Sequence, residues 1–414
     1  MNQRFGANGR HRYPWRDGNR FHLLVDGPRF FPHMLEAIRQ AEQFVCLETY
    51  LMESGRVARQ FIDSLCEAAG RGVSVLVLLD DYGCAGLSDA DRQRLVAGGV
   101  QLAIYNPLRL RKLLGNLPRD HRKLLLVDGK LAFTGGFGIT DDFQRLRAPE
   151  RTWHEVAVTI RGPVVQDWLD LFARGWQQAT GKSCGLPIVA PAEEADGQVG
   201  RVSVAEGTGH QEIIANLVKR CRNAERRIWI ASPYFVVSRK LRRVLRRAAR
   251  RGVDVRVLVP GPISDHPWVR YAGRGYYSRL LRHGVRLFEY QPRFLHAKLQ
   301  LCDGWASIGS SNLDRWNQYW NLDANQDVED ARFAREVAVQ FAKDFVYSRE
   351  IIYQDWRVRP WRLRFLEWLC GRLVRLLEWL SHTRRRTLPP SGWSSSASTS
   401  GQPVREAGRR RRFQ

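Results

Sequence analysis

The chain has 414 residues, with 66 lysines and arginines against 42 aspartates and glutamates, a net charge of +24 and a pI near 10.4. That length allows two domains of ordinary size with substantial cores, and that charge predicts attraction to a polyanion, either anionic lipid or nucleic acid. The seven cysteines (46, 66, 84, 184, 221, 302 and 370) show neither close pairing nor metal-ligand spacing, which disfavours a disulfide scaffold and favours a reducing compartment.

The opening Met1-Asn-Gln-Arg-Phe-Gly lacks the apolar core of a signal peptide, and residues 1–18 are expected to be flexible. A first α/β domain is expected over 19–195. In it, Ala68-Ala69-Gly-Arg-Gly72-Val73-Ser-Val75-Leu-Val77-Leu reads as a helix end, a glycine stop and a buried parallel-type strand. Gly99-Val100 precedes another short strand. Next comes His121-Arg-Lys123-Leu-Leu-Leu-Val-Asp128. Alternate side chains of a strand share a face, so His121 and Lys123 project together. Leu124 to Val127 continue as an apolar run, typical of a strand buried on both faces. Asp128-Gly129 reads as a tight turn into a second strand that ends at Gly135-Gly136.

A second domain, expected over 196–350, repeats this order. Ala248-Ala249-Arg-Arg-Gly252-Val253-Asp-Val255-Arg-Val257-Leu matches the earlier helix-stop-strand segment, and Gly284-Val285 matches Gly99-Val100. His296-Ala-Lys298-Leu-Gln-Leu-Cys-Asp303 then repeats the His-x-Lys-x-x-x-x-Asp pattern, followed by Gly304 and by Gly309-Ser310-Ser311-Asn312. Packing explains a lone His-x-Lys in a strand, but hardly a duplicate of the whole pattern. The alternation predicts an α/β sandwich in each half. Two similar halves would meet along a pseudo-twofold, with a site at the seam.

Two such hairpins face to face put two histidines and two lysines around one pocket. One imidazole can attack phosphorus while a second, protonated, donates to the leaving oxygen. The lysines stabilise charge on the non-bridging oxygens. This chemistry calls for no metal or other cofactor, and the carboxylate clusters of a two-metal site are not obvious. The aspartate at each turn reads as a tether for its hairpin.

Two segments could touch a membrane. Arg239 to Arg251 is an arginine-rich helix with Leu241, Val244, Leu245 and Ala248 on one face, either a solvated surface helix or one lying over anionic headgroups. Residues 351–381 form an amphipathic helical segment, with Pro360 at its opening. There Arg364, Glu367, Arg372, Arg375 and Glu378 make a narrow polar stripe beside a broad apolar face with tryptophans. The alternative is a helix docked on the second domain. Residues 382–414 read as a disordered basic tail, and from Trp356 to Gln414 there are 14 arginines against three glutamates. No apolar run approaches the ~18 residues that span a bilayer, so the chain is expected to be soluble or peripheral.

The paired motifs and Gly-Ser-Ser-Asn resemble the phospholipase D superfamily from about Asn19 to about Tyr347. Within it the likeness is to bacterial cardiolipin synthases of the shorter B-type. Glu48-Thr-Tyr50, Trp153 with Gly162-Pro163, and Asn321-Leu-Asp323-Ala-Asn325 support it. The resemblance implies phosphatidyl transfer through a phosphohistidine, from one phosphatidylglycerol to a glycerol hydroxyl of another lipid, with release of glycerol. It implies that His121 is the nucleophile and His296 the acid and then the base, the near-symmetry leaving the swapped assignment open. Lys123 and Lys298 would grip the phosphoryl oxygens, helped by Asn312 and the backbone near Gly136. Asp128 and Asp303 would hold the hairpins or orient the imidazoles.

The implied partners are anionic phospholipid and the cytoplasmic face of a bacterial membrane, with no specific nucleic acid. Gly138 stands where that family usually has Asn, Asp323 where it has Glu, and Glu155 where it has Asp. The second hairpin is also one residue shorter between Asp303 and Gly309 than its counterpart. The rival readings are a hydrolytic phospholipase D, a nucleic-acid phosphodiesterase and a catalytically silent membrane-binding protein.

Overall fold

In the computed structural model the described residues are 12–385, apart from 188, 190–193, 195, 196, 208 and 209. The first half is a seven-stranded mixed sheet. Its strands in chain order are β1 (Arg16–Val25), β2 (Phe44–Thr49), β3 (Ser74–Asp80), β4 (Gln101–Tyr105), β5 (Lys123–Val127), β6 (Leu131–Gly135) and β7 (Val156–Arg161). Across the sheet they run β4-β3-β2-β5-β6-β7-β1, with β2, β3 and β4 mutually parallel and the other pairings antiparallel.

The second half repeats these seven strands and adds a short edge strand, Ser348–Glu350, antiparallel to Arg286–Tyr290. Here the strands are β8 (Gln198–Glu206), β9 (Arg227–Ala231), β10 (Asp254–Pro260), β11 (Arg286–Tyr290), β12 (Leu299–Cys302), β13 (Trp305–Gly309) and β14 (Asn321–Glu329). Their spatial order is β11-β10-β9-β12-β13-β14-β8, with the same parallel and antiparallel relations. β1 and β8 pair antiparallel, joining the two sheets. β1 starts at Arg16, ahead of the boundary expected at Asn19, because the Arg16 guanidinium grips Asp167 through hydrogen bonds of 2.6 and 2.7 Å.

Alternation along the strands sorts the core into layers. Val45, Leu47, Val75, Val77 and Leu79 face the outer helices Gly27–Arg39 and Arg56–Gly70. Cys46, Leu76, Leu78, Leu124 and Leu126 face inward, toward a cluster shared by both halves and built on helices Val165–Thr180 and Ala331–Val346. Apolar surface is therefore buried on both faces, which is why these strands read as unbroken apolar runs. Helix Arg239–Arg250 buries Leu241, Val244, Leu245 and Ala248 against the outer face of the second sheet.

The duplicated glycine stops are structural equivalents. Gly72 and Gly252 both sit at φ 89°, and Val73 and Val253 each donate back to Ala68 and Ala248 respectively, closing the preceding helix. The hairpin length difference lies in the turns. β5 and β6 register Val127 against Leu131, whereas β12 and β13 register Cys302 against Trp305, a shorter turn. Asp128 and Asp303 take the left-handed φ values of 52° and 51° that aspartate tolerates.

Met1–Val374 forms one compact unit and Arg375–Gln414 a second, described only by the last turns of helix Trp361–Arg385. The expected tail beyond residue 385 and the segment 1–11 lie outside the described residues.

Candidate active site

The seam between the halves is stitched by two equivalent backbone contacts. Asn321 and Leu322 of β14 pair in parallel with Arg119 and Asp120, and the His121 amide donates to Leu322 O at 2.9 Å. In the mirrored place His154 pairs with Leu295, and the His296 amide donates to His154 O at 2.8 Å. The residue after each stitching position, Asp323 or Glu155, is thereby set against the histidine of the opposite half. Asp323 Oδ1 lies 2.9 Å from His121 Nδ1, and Glu155 Oε2 lies 2.6 Å from His296 Nδ1.

Strand alternation puts each lysine beside its histidine. Lys123 Nζ donates to His121 O and Lys298 Nζ to His296 O, both at 2.6 Å. All four side chains are buried. The pairs feel one another. Burial and then the Lys298 charge push the Lys123 ammonium down to about 7, and burial pushes Lys298 down as well. Burial followed by the Lys123 charge takes His121 down to about 4, against the upward pull of Asp323. Burial and Lys298 hold His296 well below the usual imidazole range. Burial raises the Glu155 carboxyl to about 7. Burial and mutual repulsion thus disfavour charge on the lysines and on the imidazoles alike, and a bound anion would favour it.

The sequence places Asp where Glu is usual and Glu where Asp is usual, and packing accounts for both. Beside the short Asp323, Ser310 Oγ donates to Oδ1 at 2.7 Å. The position equivalent to Ser310 in the first half is Gly136, where an added Cβ would fall 2.3 Å from Glu155 Oε2. A long carboxylate with glycine replaces a short one with serine. Gly136 therefore makes room for Glu155. Asn312 is buried with its Oδ1 unpartnered, while Gly138 in the other half is closed in by Leu51.

Of the two roles expected for Asp128 and Asp303, holding the hairpins or orienting the imidazoles, their hydrogen bonds match the first and not the second. Asp128 accepts from the amides of Glu42, Gln43 and Phe44, and Asp303 from those of Glu225, Arg226 and Arg227. Each clamps its hairpin turn to the start of the neighbouring strand, at the far end from the histidine. The imidazoles are oriented from across the seam instead.

A family model described as "Cardiolipin synthase, PLD-like domain" matches residues 34–176 and 217–345, one His-Lys pair in each segment. Cardiolipin synthase B from Escherichia coli (strain K12) is 34% identical over 77% of this chain and 78% of its own length. Cardiolipin synthase from Geobacillus kaustophilus is 32% identical over 83% of this chain and 70% of its own. The chain belongs to the phospholipase D-like cardiolipin synthase family. The family makes it a phosphatidyltransferase of that superfamily. A solved phosphatidylserine synthase from Haemophilus influenzae shares the fold, with a TM-score of 0.65 at 13% identity over 89% of this chain and 95% of that one. A polyphosphate kinase from Porphyromonas gingivalis shares it with a TM-score of 0.55 at 16% identity, over 81% of this chain and 49% of its own.

In this cardiolipin synthase fold, sequence reasoning missed the groups around the histidines. Tyr50 packs edge-on to His121 with ring centroids 4.8 Å apart, and Trp153 lies 4.9 Å from His296. Tyr234, one residue beyond the register equivalent of Tyr50, hydrogen-bonds Asp265, and Asp265 in turn pulls on His296 and Lys298. His154, next to Glu155, sits between Asp26 (2.8 Å) and Asp344 (3.2 Å), and Arg293 also grips Asp26. Burial opposes charge on His154, but Asp344 and Asp26 outweigh it and raise the group to about 10. Two residues of each half thus make one charged clamp behind the site. Aligning the two repeats would have pointed to Tyr234 and Glu155; the clamp has no repeat counterpart to betray it.

Proposed function

We propose that this chain is a cardiolipin synthase that moves a phosphatidyl group from one phosphatidylglycerol to a glycerol hydroxyl of a second lipid through a phosphohistidine. One observation carries the reading: each imidazole has its Nδ1 held by a carboxylate of the opposite half, with a lysine beside it. Holding Nδ1–H on Asp323 fixes the tautomer of His121 that keeps a lone pair on Nε2. Nε2 attacks phosphorus, the P–O bond to the headgroup glycerol breaks, and His296 gives that oxygen a proton. The acceptor hydroxyl then returns its proton to His296 as its oxygen displaces Nε2. A bound phosphodiester would offset the Lys123 and Lys298 charges, which raises the proton affinity of His296. Asn312, whose buried Oδ1 has no partner, would take the acceptor hydroxyl.

A peripheral position on the cytoplasmic face of a bacterial membrane completes the proposal. Among the described residues no helix is long and apolar enough to cross a membrane. The first turns of helix Trp361–Arg385 dock through the polar Glu367, which is buried and pairs with Arg274 and Arg359. Trp361, Phe365, Trp368 and Leu369 are left exposed. A helix held by its acid with aromatics outward suits a lipid interface.

The test is product analysis after incubating purified protein with phosphatidylglycerol vesicles. Cardiolipin with free glycerol is expected. Phosphatidic acid in its place would make the chain a hydrolase, and no lipid product would return the nucleic-acid reading.

A further inference from the structure

The two halves differ most in the segment that leads into the catalytic histidine. From the end of β11 the chain reaches His296 through residues 291–295 alone, whereas from the end of β4 it takes residues 106–120 to reach His121. The extra residues form a closed loop. The buried Arg119 guanidinium donates to Asn106 O at 3.2 Å and Asn116 O at 2.5 Å, and Asn106 Nδ2 donates to Gly115 O and Pro118 O at 3.0 and 2.8 Å. Asp81 accepts from the Leu108 amide at 2.8 Å, tying the loop to the end of β3. The base is therefore rigid and directly abuts His121.

What the loop carries is unusual for a surface. Its sequence, Asn106-Pro-Leu-Arg-Leu-Arg-Lys-Leu-Leu-Gly-Asn-Leu-Pro-Arg119, alternates leucine with basic residues and has no acid. Leu113 is 78% exposed and Leu108 47% exposed, with Arg109 and Arg111 exposed between them. Leu113 also holds a φ of 43° that a leucine adopts only at a cost, to present itself to solvent. Neighbouring connections at the same end of the sheets expose Tyr82 and Leu146, and in the other half Ile263 and Trp268.

We propose that loop 106–118 is an interfacial finger that enters an anionic phospholipid bilayer and seats the catalytic mouth on the membrane. Leucines alternating with cations, and no acid, match acyl chains below anionic headgroups. A soluble polyanion would use the arginines and gain nothing from bare leucines. The position adds a reason. Under the proposed function, on which this inference rests, both substrates keep their acyl chains in the bilayer. A finger beside His121 would let their headgroups reach the imidazole without either lipid leaving the membrane.

The experiment uses the full chain carrying Leu108→Asp with Leu113→Asp, and separately Arg109→Gln with Arg111→Gln. Thermal melting controls for folding, since all four side chains are exposed. Each protein is sedimented with phosphatidylglycerol vesicles and with phosphatidylcholine vesicles. Turnover is measured on phosphatidylglycerol vesicles and on a short-chain phosphatidylglycerol below its micelle concentration. The leucine variant should lose about tenfold in binding to, and turnover on, anionic vesicles, and stay within about twofold of wild type on monomeric substrate. The arginine variant should weaken only on anionic vesicles and flatten the salt dependence.

Unchanged vesicle binding overturns the proposal, as does an equal loss on monomeric substrate, which would place the leucines in the site itself. So does a loss of single-stranded oligonucleotide binding with vesicle binding intact. Sedimentation needs no turnover, and His121→Ala should sediment like wild type. Failure of the catalytic reading would instead appear as wild-type protein that binds vesicles and makes no lipid product.

Discussion

Behind His121 stand a short carboxylate and a serine, Asp323 and Ser310; behind His296 stand a long carboxylate and a glycine, Glu155 and Gly136. The surroundings differ too. His121 meets the Tyr50 ring, while His296 is boxed by Phe143, Trp153 and Phe294. One backbone plan therefore supports two imidazoles of unequal environment. Symmetry sets each histidine against a carboxylate of the opposite half, and its local breakage gives the two imidazoles the unequal surroundings that the proposed division into nucleophile and proton carrier would need.

The largest effects should come from the imidazoles themselves. His121→Ala and His296→Ala should each cut turnover by about 10⁴-fold while the protein remains folded. Offering labelled lipid to each variant should trap the phosphatidyl group on the surviving histidine of only one of them. A single variant with near-normal turnover would break the scheme in which both halves are required.

The carboxylates come next. Gly136→Ser should force Glu155 off His296, because the new Cβ would lie 2.3 Å from Oε2. A loss of about 10²-fold is expected, the scale of displacing a reacting group by about 1 Å. Adding Glu155→Asp to Gly136→Ser recreates the other half's pairing and should recover much of the loss. A double variant worse than either single one would show that the two histidines do not tolerate the same support.

The repeat made most of this legible beforehand. His121, Lys123, His296 and Lys298 sit at strand spacing that the twofold alternation explains, and the glycine stops at 72 and 252 mark the same helix ends. What stayed hidden depends on contacts across long sequence separations. Asp128 lies close to His121 in sequence yet points at Glu42, Gln43 and Phe44, because its strand runs away from the site. The clamp on His154 joins residues 26, 154, 293 and 344, which share no motif. In the carboxy-terminal helix, spacing puts Glu367 in the polar stripe. It faces inward because Arg274 and Arg359 await it.

The clamp gives a pH signature with a definite sign. The His154 imidazole is raised to about 10 in the fold, above an unfolded value of roughly 6.5. Its stabilisation is complete below the lower value and is lost as pH rises through the higher one. Wild type should therefore lose more stability than His154→Gln between about pH 7 and pH 10. At neutral pH the variant should be destabilised by about 3 kcal/mol, since it leaves Asp26 and Asp344 without their shared cation. Parallel melting curves for the two proteins across that window would remove the clamp from the account of how the halves are held.

The smallest effect expected belongs to the exposed face of helix Trp361–Arg385, which has no counterpart in the first half. Phe365 and Trp368 stack on one another in the open, 54% and 51% exposed, while Glu367 between them anchors the helix inward. Replacing both aromatics by serine leaves the anchor untouched, so melting should not change. Two large side chains at an interface are together worth about 2 kcal/mol, or a change in vesicle affinity of some tens-fold at most. Both rings are already half-buried, so insertion buries only part of that area, and the weakening on phosphatidylglycerol vesicles should be about threefold. It should be additive with the Leu108 and Leu113 substitutions if helix and finger touch the bilayer independently. Strong non-additivity would instead mean that one of the two docks the protein and the other merely follows.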